Sequence, residues 1–333
     1  MDIVKFNDGD QERTVTGRVL IEENGGVMVQ ADDGRIWTVL PEHMIERSSN
    51  DTEFQPVDAD EMERRMLEEL PGEFKVYRTS HYLVFYNSTE SYAKVVSGLF
   101  EQLYRGFFTF WKNQRWDLPE PEFPLVALVL KDRSAFQSYA GDEIGDTANG
   151  IIGYYHLGTN RMTTYRVRDL ERNVATIIHE ATHQLAYNCG MQKRFADNPM
   201  WVSEGLAMFF ESPDRRNPSR WRSIGQVNQT NLRRFHAYFP KRPEESLATL
   251  LADDTRLRNP SLMQESYGES WALTYFLIKT KKKEYVKFLQ LLSEGQPLAE
   301  KSKRQRVEMF EKAFGSTLVD LDESFIKYMR RVR

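Results

Sequence analysis

A single cysteine, Cys189, stands in a chain of 333 residues. One thiol cannot make an internal disulfide, and it excludes a cysteine-based zinc finger or a Cys-x-x-Cys redox site. Long apolar runs are also lacking: the greasiest stretches, such as LVALVL at 125–130, are strand-length, which excludes a membrane-spanning helix. The start, MDIVKFNDGD, has no basic stretch followed by an apolar one, so no secretory signal is read in this chain. Two localisations stay open: export to the periplasm or envelope with the signal absent from this chain, or otherwise the cytoplasm. Internal repeats and low-complexity tracts are missing, and so is any strong charge excess, with 45 basic and 49 acidic residues. Residues 1–75 hold 19 acidic and 8 basic side chains; the remainder is too weakly basic to imply nucleic acid.

The composition present is that of a folded protein, with 40% hydrophobic, 12% aromatic and 28% charged residues. At roughly 150 residues per domain the length implies about two domains. Strand-like segments at 14–21, 27–31 and 36–40, separated by Gly25-Gly26 and Asp33-Gly34, predict a small β-meander or SH3-like unit over 1–48. Residues 49–74 read as an acidic linker with an exposed helix at 58–70. From 75 to 215 strands (81–86, 124–130, and a hairpin of 149–156 with 161–165) alternate with helices (91–111, 169–189, 199–211). Residues 216–333 read as helical, with segments at 228–238, 267–279, 284–293, 303–314 and 318–331. The fold class expected is α+β.

Inside the helix at 169–189 stands His179-Glu180-Ala181-Thr182-His183, the HExxH pattern. Histidines at i and i+4 lie on one helical face and can reach one metal ion. The glutamate between them can take a proton from a zinc-bound water whose pKa the metal has lowered. With 6 His and 49 acidic residues in the chain, the pattern arises by accident about 1 to 2% of the time, so a third ligand is needed to decide. Glu204 supplies it, 21 positions after His183 on a second helix, with Asn198 as expected N-cap and Pro199 at the first helical position. Gly190 is expected just past the end of the first helix. Two histidines and a glutamate with one position left for water is a catalytic zinc arrangement rather than a structural one.

The segments HEATHQLAYNCG and NPMWVSEGLAMFFESP, together with SHYLVFYN and YGESWALTYFL, resemble the gluzincin class of zinc metallopeptidases. From about Ser80 to the C-terminus they resemble in particular a bacterial family known as domain of unknown function 1570. The resemblance implies a zincin-like fold, with 75–215 as the α/β catalytic half and 216–333 as its helical C-terminal half. It also implies one zinc ion and hydrolysis of peptide bonds in a peptide or protein substrate, but no particular substrate. One departure stands out: where some gluzincins place an Asp four residues after the ligand Glu to orient the first histidine, this chain has Met208. Another acidic or carbonyl group must then serve.

In gluzincin folds the strand before the metal helix forms a sheet edge on which an extended peptide can pair. Gly150, Gly153 and Tyr154 are therefore the expected substrate-binding positions, with a β-bulge or turn requirement as the alternative reading of the glycines. Tyr267 is a candidate oxyanion donor, although Tyr267, Trp271 and Tyr275 also recur as core aromatics do. His156 and His236 are lone histidines, and Arg222 and Arg234 could meet a substrate carboxylate. Lys281–Lys283 and Arg330–Arg333 read as solvated helix ends. The rival function is a non-catalytic or degenerate zincin acting as a binding or scaffold protein; a third is a hydrolase of non-peptide amides.

Overall fold

Turn chemistry sets the first sheet in the computed structural model, which describes residues 1–212, 221 and 224–333. Strands β1 (Asp2–Asp8), β2 (Gln11–Glu23), β3 (Gly26–Ala31), β4 (Ile36–Val39) and β5 (Met44–Ser49) form an antiparallel sheet in the order β4-β3-β2-β1-β5. The β2–β3 turn is Asn24-Gly25, both at positive φ (51° and 81°), one residue earlier than expected. This dipeptide is the pair that a type I′ hairpin turn favours. Two strands that the turn signals do not predict extend the meander. Strand β1 buries Val4 and Phe6 on one face, and β5 returns beside it, with Asp2 opposite Ser49. Val15, Val27, Val29, Ala31 and Val39 complete this core.

Helix α1 (Ala59–Glu69) begins at Asp58, whose carboxylate accepts from the Glu61 amide at 2.9 Å. It is less exposed than its composition suggests. Met62 and Met66, one turn apart, form a narrow buried stripe, and Glu69 pairs with the buried Arg161 at 2.7 Å and with Arg35. The second sheet combines β6 (Lys75–Arg78), β7 (Tyr82–Tyr86), β8 (Leu125–Leu130), β9 (Gly153–His156) and β10 (Arg161–Tyr165) in the order β6-β7-β8-β10-β9. Its three central strands, β7, β8 and β10, are parallel and wholly buried, which explains the unbroken apolar runs of β7 and β8, whereas β10 buries Arg161, Thr163 and Thr164 as well. Helix α2 (Glu90–Asn113) follows β7, and α3 (Arg133–Ile144) follows β8. The latter has no readable apolar stripe, because only Phe136 and Ala140 of it are buried. Strand β9 is a sheet edge, antiparallel to β10, but shorter than expected because residues 145–149 form a 3-10 turn.

The chain divides into two compact units, Met1–Ser97 with Glu120–Arg166, and Gly98–Pro119 with Val167–Arg333. Both sheets belong to the first. The second holds α4 (Leu170–Asn188), α5 (Met200–Phe210), α6 (Gln229–Tyr238), α7 (Ser246–Ala252), α8 (Thr255–Arg258), α9 (Met263–Thr280), α10 (Lys282–Ser293), α11 (Lys303–Phe314) and α12 (Leu318–Met329). Helices α7 and α8, of seven and four residues, are too short for periodicity to reveal. Helix α9 is buried along most of its length and forms the axis of the unit. Aromatic contacts bind the rest: Phe210 packs on Phe107 at 5.2 Å, and Trp201 stacks on Phe288 at 5.8 Å. Glu269, fully buried on α9, is neutralised by Arg242 at 2.6 Å and Arg256 at 2.7 Å. Among the described residues no helix is long and apolar enough to cross a membrane.

Candidate metal centre

Asp169 caps α4 by accepting from the Arg172 amide at 3.0 Å, and the helix ends at Cys189 with Gly190 following at φ 71°, as expected. His179 and His183 therefore sit one turn apart on one face, their ring centroids 4.8 Å from each other. Helix α5 starts differently from expectation. Its N-cap is Pro199, and the Asn198 amide turns back onto the Lys193 and Ala196 carbonyls at 2.7 and 3.0 Å. The first α5 amide, of Met200, instead donates to Asp254 at 3.0 Å, and Arg306 bridges Asp254 to Asp197 in the loop before α5. This ion-paired clamp replaces the missing side-chain cap.

Helix α5 then brings Glu204 against the two histidines. Its Oε2 lies 3.2 Å from His179 Nε2 and its Oε1 3.7 Å from His183 Nε2. The ligand atoms of the three residues lie within 4.8 Å of one another, so this partly buried group could hold a metal ion. The close approach depends on Gly205. A Cβ there would stand 2.2 Å from Thr274 Oγ1 and 2.9 Å from the Ser270 carbonyl on α9, so only glycine lets the two helices cross next to the ligand.

The acceptor for His179, unidentified from sequence, is Glu211 at the C-cap of α5. Its Oε2 lies 2.6 Å from His179 Nδ1, and its Oε1 accepts from Asn228 Nδ2 at 2.7 Å. Asn228 in turn caps α6, accepting from the Asn231 amide at 3.1 Å. Glu211 lies seven residues after Glu204, two full turns, and so on the same helical face. That spacing is the signal the sequence carries for it, whereas Met208, four residues after Glu204, is buried in the core. With Nδ1 engaged, His179 offers Nε2 toward Glu204, the orientation that a metal-ligating imidazole takes from a carboxylate behind it.

The electrostatics suit a cation. Burial works against a charged His179, but the Glu204 and Glu211 carboxylates overrule it and raise its pKa well above the usual imidazole value. Burial, with His179 adding to it, drives His183 down to about 4, so it stays a neutral donor. Burial would raise Glu204, yet its hydrogen bonds and the two imidazoles keep it below the usual carboxylate value. A partly buried set of two imidazoles and a carboxylate, with one further carboxylate on Nδ1, fits the N/O donors that zinc takes.

Tyr267 lies in the second turn of α9, not at its start, because the helix begins at Met263. Its phenol hydrogen-bonds Glu204, and the Glu180 charge also reaches it. Burial first, then Glu204 and Glu180, raise its pKa, so the phenol keeps its proton. Next to it, Gly268 allows α9 to cross α6: a Cβ there would stand 2.9 Å from Arg234 Cβ and from the Phe235 amide. Arg234 acts on Tyr267 in the opposite sense, favouring the charged phenolate. Tyr187 is linked to Ser203, which also receives Gln192 Nε2 at 2.7 Å, and burial pushes its phenol up to about 12.

The other candidates have surroundings of their own. Gly150, Gly153 and Tyr154 belong to the unit that holds the sheets. Gly150 follows the 3-10 turn rather than standing on the edge strand. Tyr154 is 7% exposed and its hydroxyl donates to Glu143 at 2.5 Å. His156 is tied to Thr159 in the hairpin loop, and His236 is exposed on α6. Arg222 lies outside the described residues.

Residues 173–299 match the family model described as a protein of unknown function, DUF1570. This is the family the sequence motifs resemble, over a narrower span, and the span contains all three metal-group residues, Glu180, Glu211, Arg234 and Tyr267. No curated protein matches the chain.

Proposed function

We propose that the chain is a zinc-dependent hydrolase of gluzincin type, with a zincin-like fold around its active centre, that cleaves peptide bonds. The observation that carries this reading is the convergence of His179, His183 and Glu204 within 4.8 Å, backed by Glu211 on His179. These three residues would hold the ion. Bound there, zinc supplies Lewis-acid chemistry, acidifying a water ligand and polarising a carbonyl oxygen.

Glu180 accepts the proton that the attacking water loses and passes it to the leaving nitrogen. As the C–N bond breaks, the hydroxyl ends on the carbonyl carbon and the proton on the amine. Tyr267 orients the ligand carboxylate through its bond to Glu204. Because the phenol stays protonated, its single O–H could turn from Glu204 to an oxygen that gains charge.

The test is metal content by mass spectrometry on protein purified without chelator. About one zinc per chain is expected, lost in His183→Ala and Glu204→Ala. Glu180→Gln should keep the zinc and slow peptide cleavage by about 10²- to 10⁴-fold, the range for a general base. Less than about a tenth of an equivalent after incubation with zinc would refute the metal site. It would leave the histidines as packing residues of a binding or scaffold protein.

A further inference from the structure

We propose that Arg234 receives the C-terminal carboxylate of a peptide substrate, so that the centre removes residues from free C-termini. The inference rests on the hydrolase reading above and adds its substrate class.

Arg234 differs from the other arginines around it. Arg242, Arg256 and Arg306, also drawn into this unit, each pair with carboxylates of the protein. Among the described residues Arg234 has no ion pair. One N–H goes to Asn231 Oδ1 at 3.0 Å on its own helix, and this neutral contact is its one protein hydrogen bond there. A half-buried guanidinium that meets no carboxylate among the described residues is well placed to receive an anion. Its planar fork of donors fits a carboxylate through two parallel bonds.

Its place in the fold sets this residue beside Tyr267. The α6–α9 crossing at Gly268 sets the Arg234 stem against the residue that follows Tyr267, and Tyr267 is bonded to Glu204. The Arg234 charge is felt at that phenol. Two further carboxylates stand near the ligand group, Glu180 beside Tyr267 and Glu211 on His179. Glu180 and Glu211 disfavour a substrate carboxylate beside them, whereas Arg234 favours one, which leaves the ion free for the scissile carbonyl and gives a peptide one register. An amidated or internal segment brings no charge to satisfy the guanidinium.

Two readouts on the full chain loaded with zinc test this. In the first, a pool of mixed-sequence 14-mers with free C-termini and their C-amidated counterparts is equilibrated with the Glu180→Gln protein. Retained peptides are counted by mass spectrometry after ultrafiltration. Free acids should be retained about 10-fold or more over amides, the strength expected of hydrogen bonds to a charged group. Arg234→Gln should abolish the preference and Arg234→Lys restore part of it. Equal retention of both pools, or a preference that survives Arg234→Gln, overturns the proposal.

In the second, the wild-type protein digests the same pools, and shortening from the C-terminus should be confined to free acids. Internal cleavage of both pools alike would overturn the Arg234 assignment and leave the hydrolase reading standing. Cleavage of neither pool, with free acids still selected through Arg234, would overturn the hydrolase reading and leave carboxylate recognition standing.

Discussion

Glu211→Gln isolates the carboxylate behind His179. In the native arrangement the two Glu211 oxygens serve two donors, His179 Nδ1 at 2.6 Å and Asn228 Nδ2 at 2.7 Å. Glutamine has one oxygen and one amide nitrogen, so one of those donors must face another donor, and the negative charge that makes the imidazole a better ligand is gone. Loss of such an outer partner lowers metal affinity by about 10- to 100-fold, or roughly 1.4 to 2.8 kcal/mol at 1.4 kcal/mol per decade. Competition between the protein and a chelator of known zinc affinity, at fixed pH, reads this directly. Glu211→Ala should lose at least as much. Asn228→Ser, which retains a hydroxyl to cap α6 but loses the amide donor, should lose less. If both Glu211 variants hold zinc within about twofold of the parent, then His179 is positioned by its helix alone and the carboxylate is incidental.

Gly205→Ala should destabilise the protein by about 1 to 3 kcal/mol through overpacking of α5 on α9, lowering the melting temperature; an unchanged melt would show that the crossing can relax. Glu269→Ala leaves Arg242 and Arg256 buried without their shared partner, and about 3 to 5 kcal/mol of stability should be lost in denaturant titration. A loss under about 1 kcal/mol would mean that the remaining partner of Arg242, Asp322 at 2.5 Å, compensates for the missing carboxylate. Acid should loosen the sheet-bearing unit through Glu69. Burial would raise this carboxyl, but its ion pairs with Arg161 and Arg35 bring it from 4.5 down to about 2. A depressed acid stabilises fully above the unfolded value, so this contribution is present above pH 4.5 and disappears as the pH falls toward 2. Glu69→Gln should flatten the stability profile in that window, and an unaltered slope would count against the pairing.

The group of His179, His183 and Glu204 is legible in the sequence because it is written in short-range spacing. Two histidines one turn apart need only a helix to face one point, and that helix is plain from its apolar periodicity and its Asp169 cap. Glu204 follows from a second helix after a short loop. What surrounds the triad is written otherwise. Glu211 is within reach of the same reasoning, since seven residues return to the same helical face, but the gluzincin pattern points to the fourth residue instead. Asn228 and Arg234 lie across long stretches of chain, and no local pattern distinguishes them from the other amides and arginines. Strand β1 has a readable alternation, yet β5 carries only one partly buried side chain and is defined by its pairing with β1.

Two dipeptides nevertheless mark the non-local geometry. Glu204 and Tyr267 each stand immediately before a glycine, and both glycines occupy helix crossings too tight for a Cβ. The next residue back along a helix is rotated about 100° from such a contact. A side chain in that position leans out from the shoulder of the crossing instead of being trapped within it, and the backbone beneath it is held by the contact. The tight crossings thus do more than pack the helices: α5 on α9 sets Glu204, and α9 on α6 sets Tyr267 beside Arg234. A glycine directly after a polar residue in an otherwise buried helix is therefore a sequence signal for a rigidly presented functional group, even where the partner helix cannot be identified.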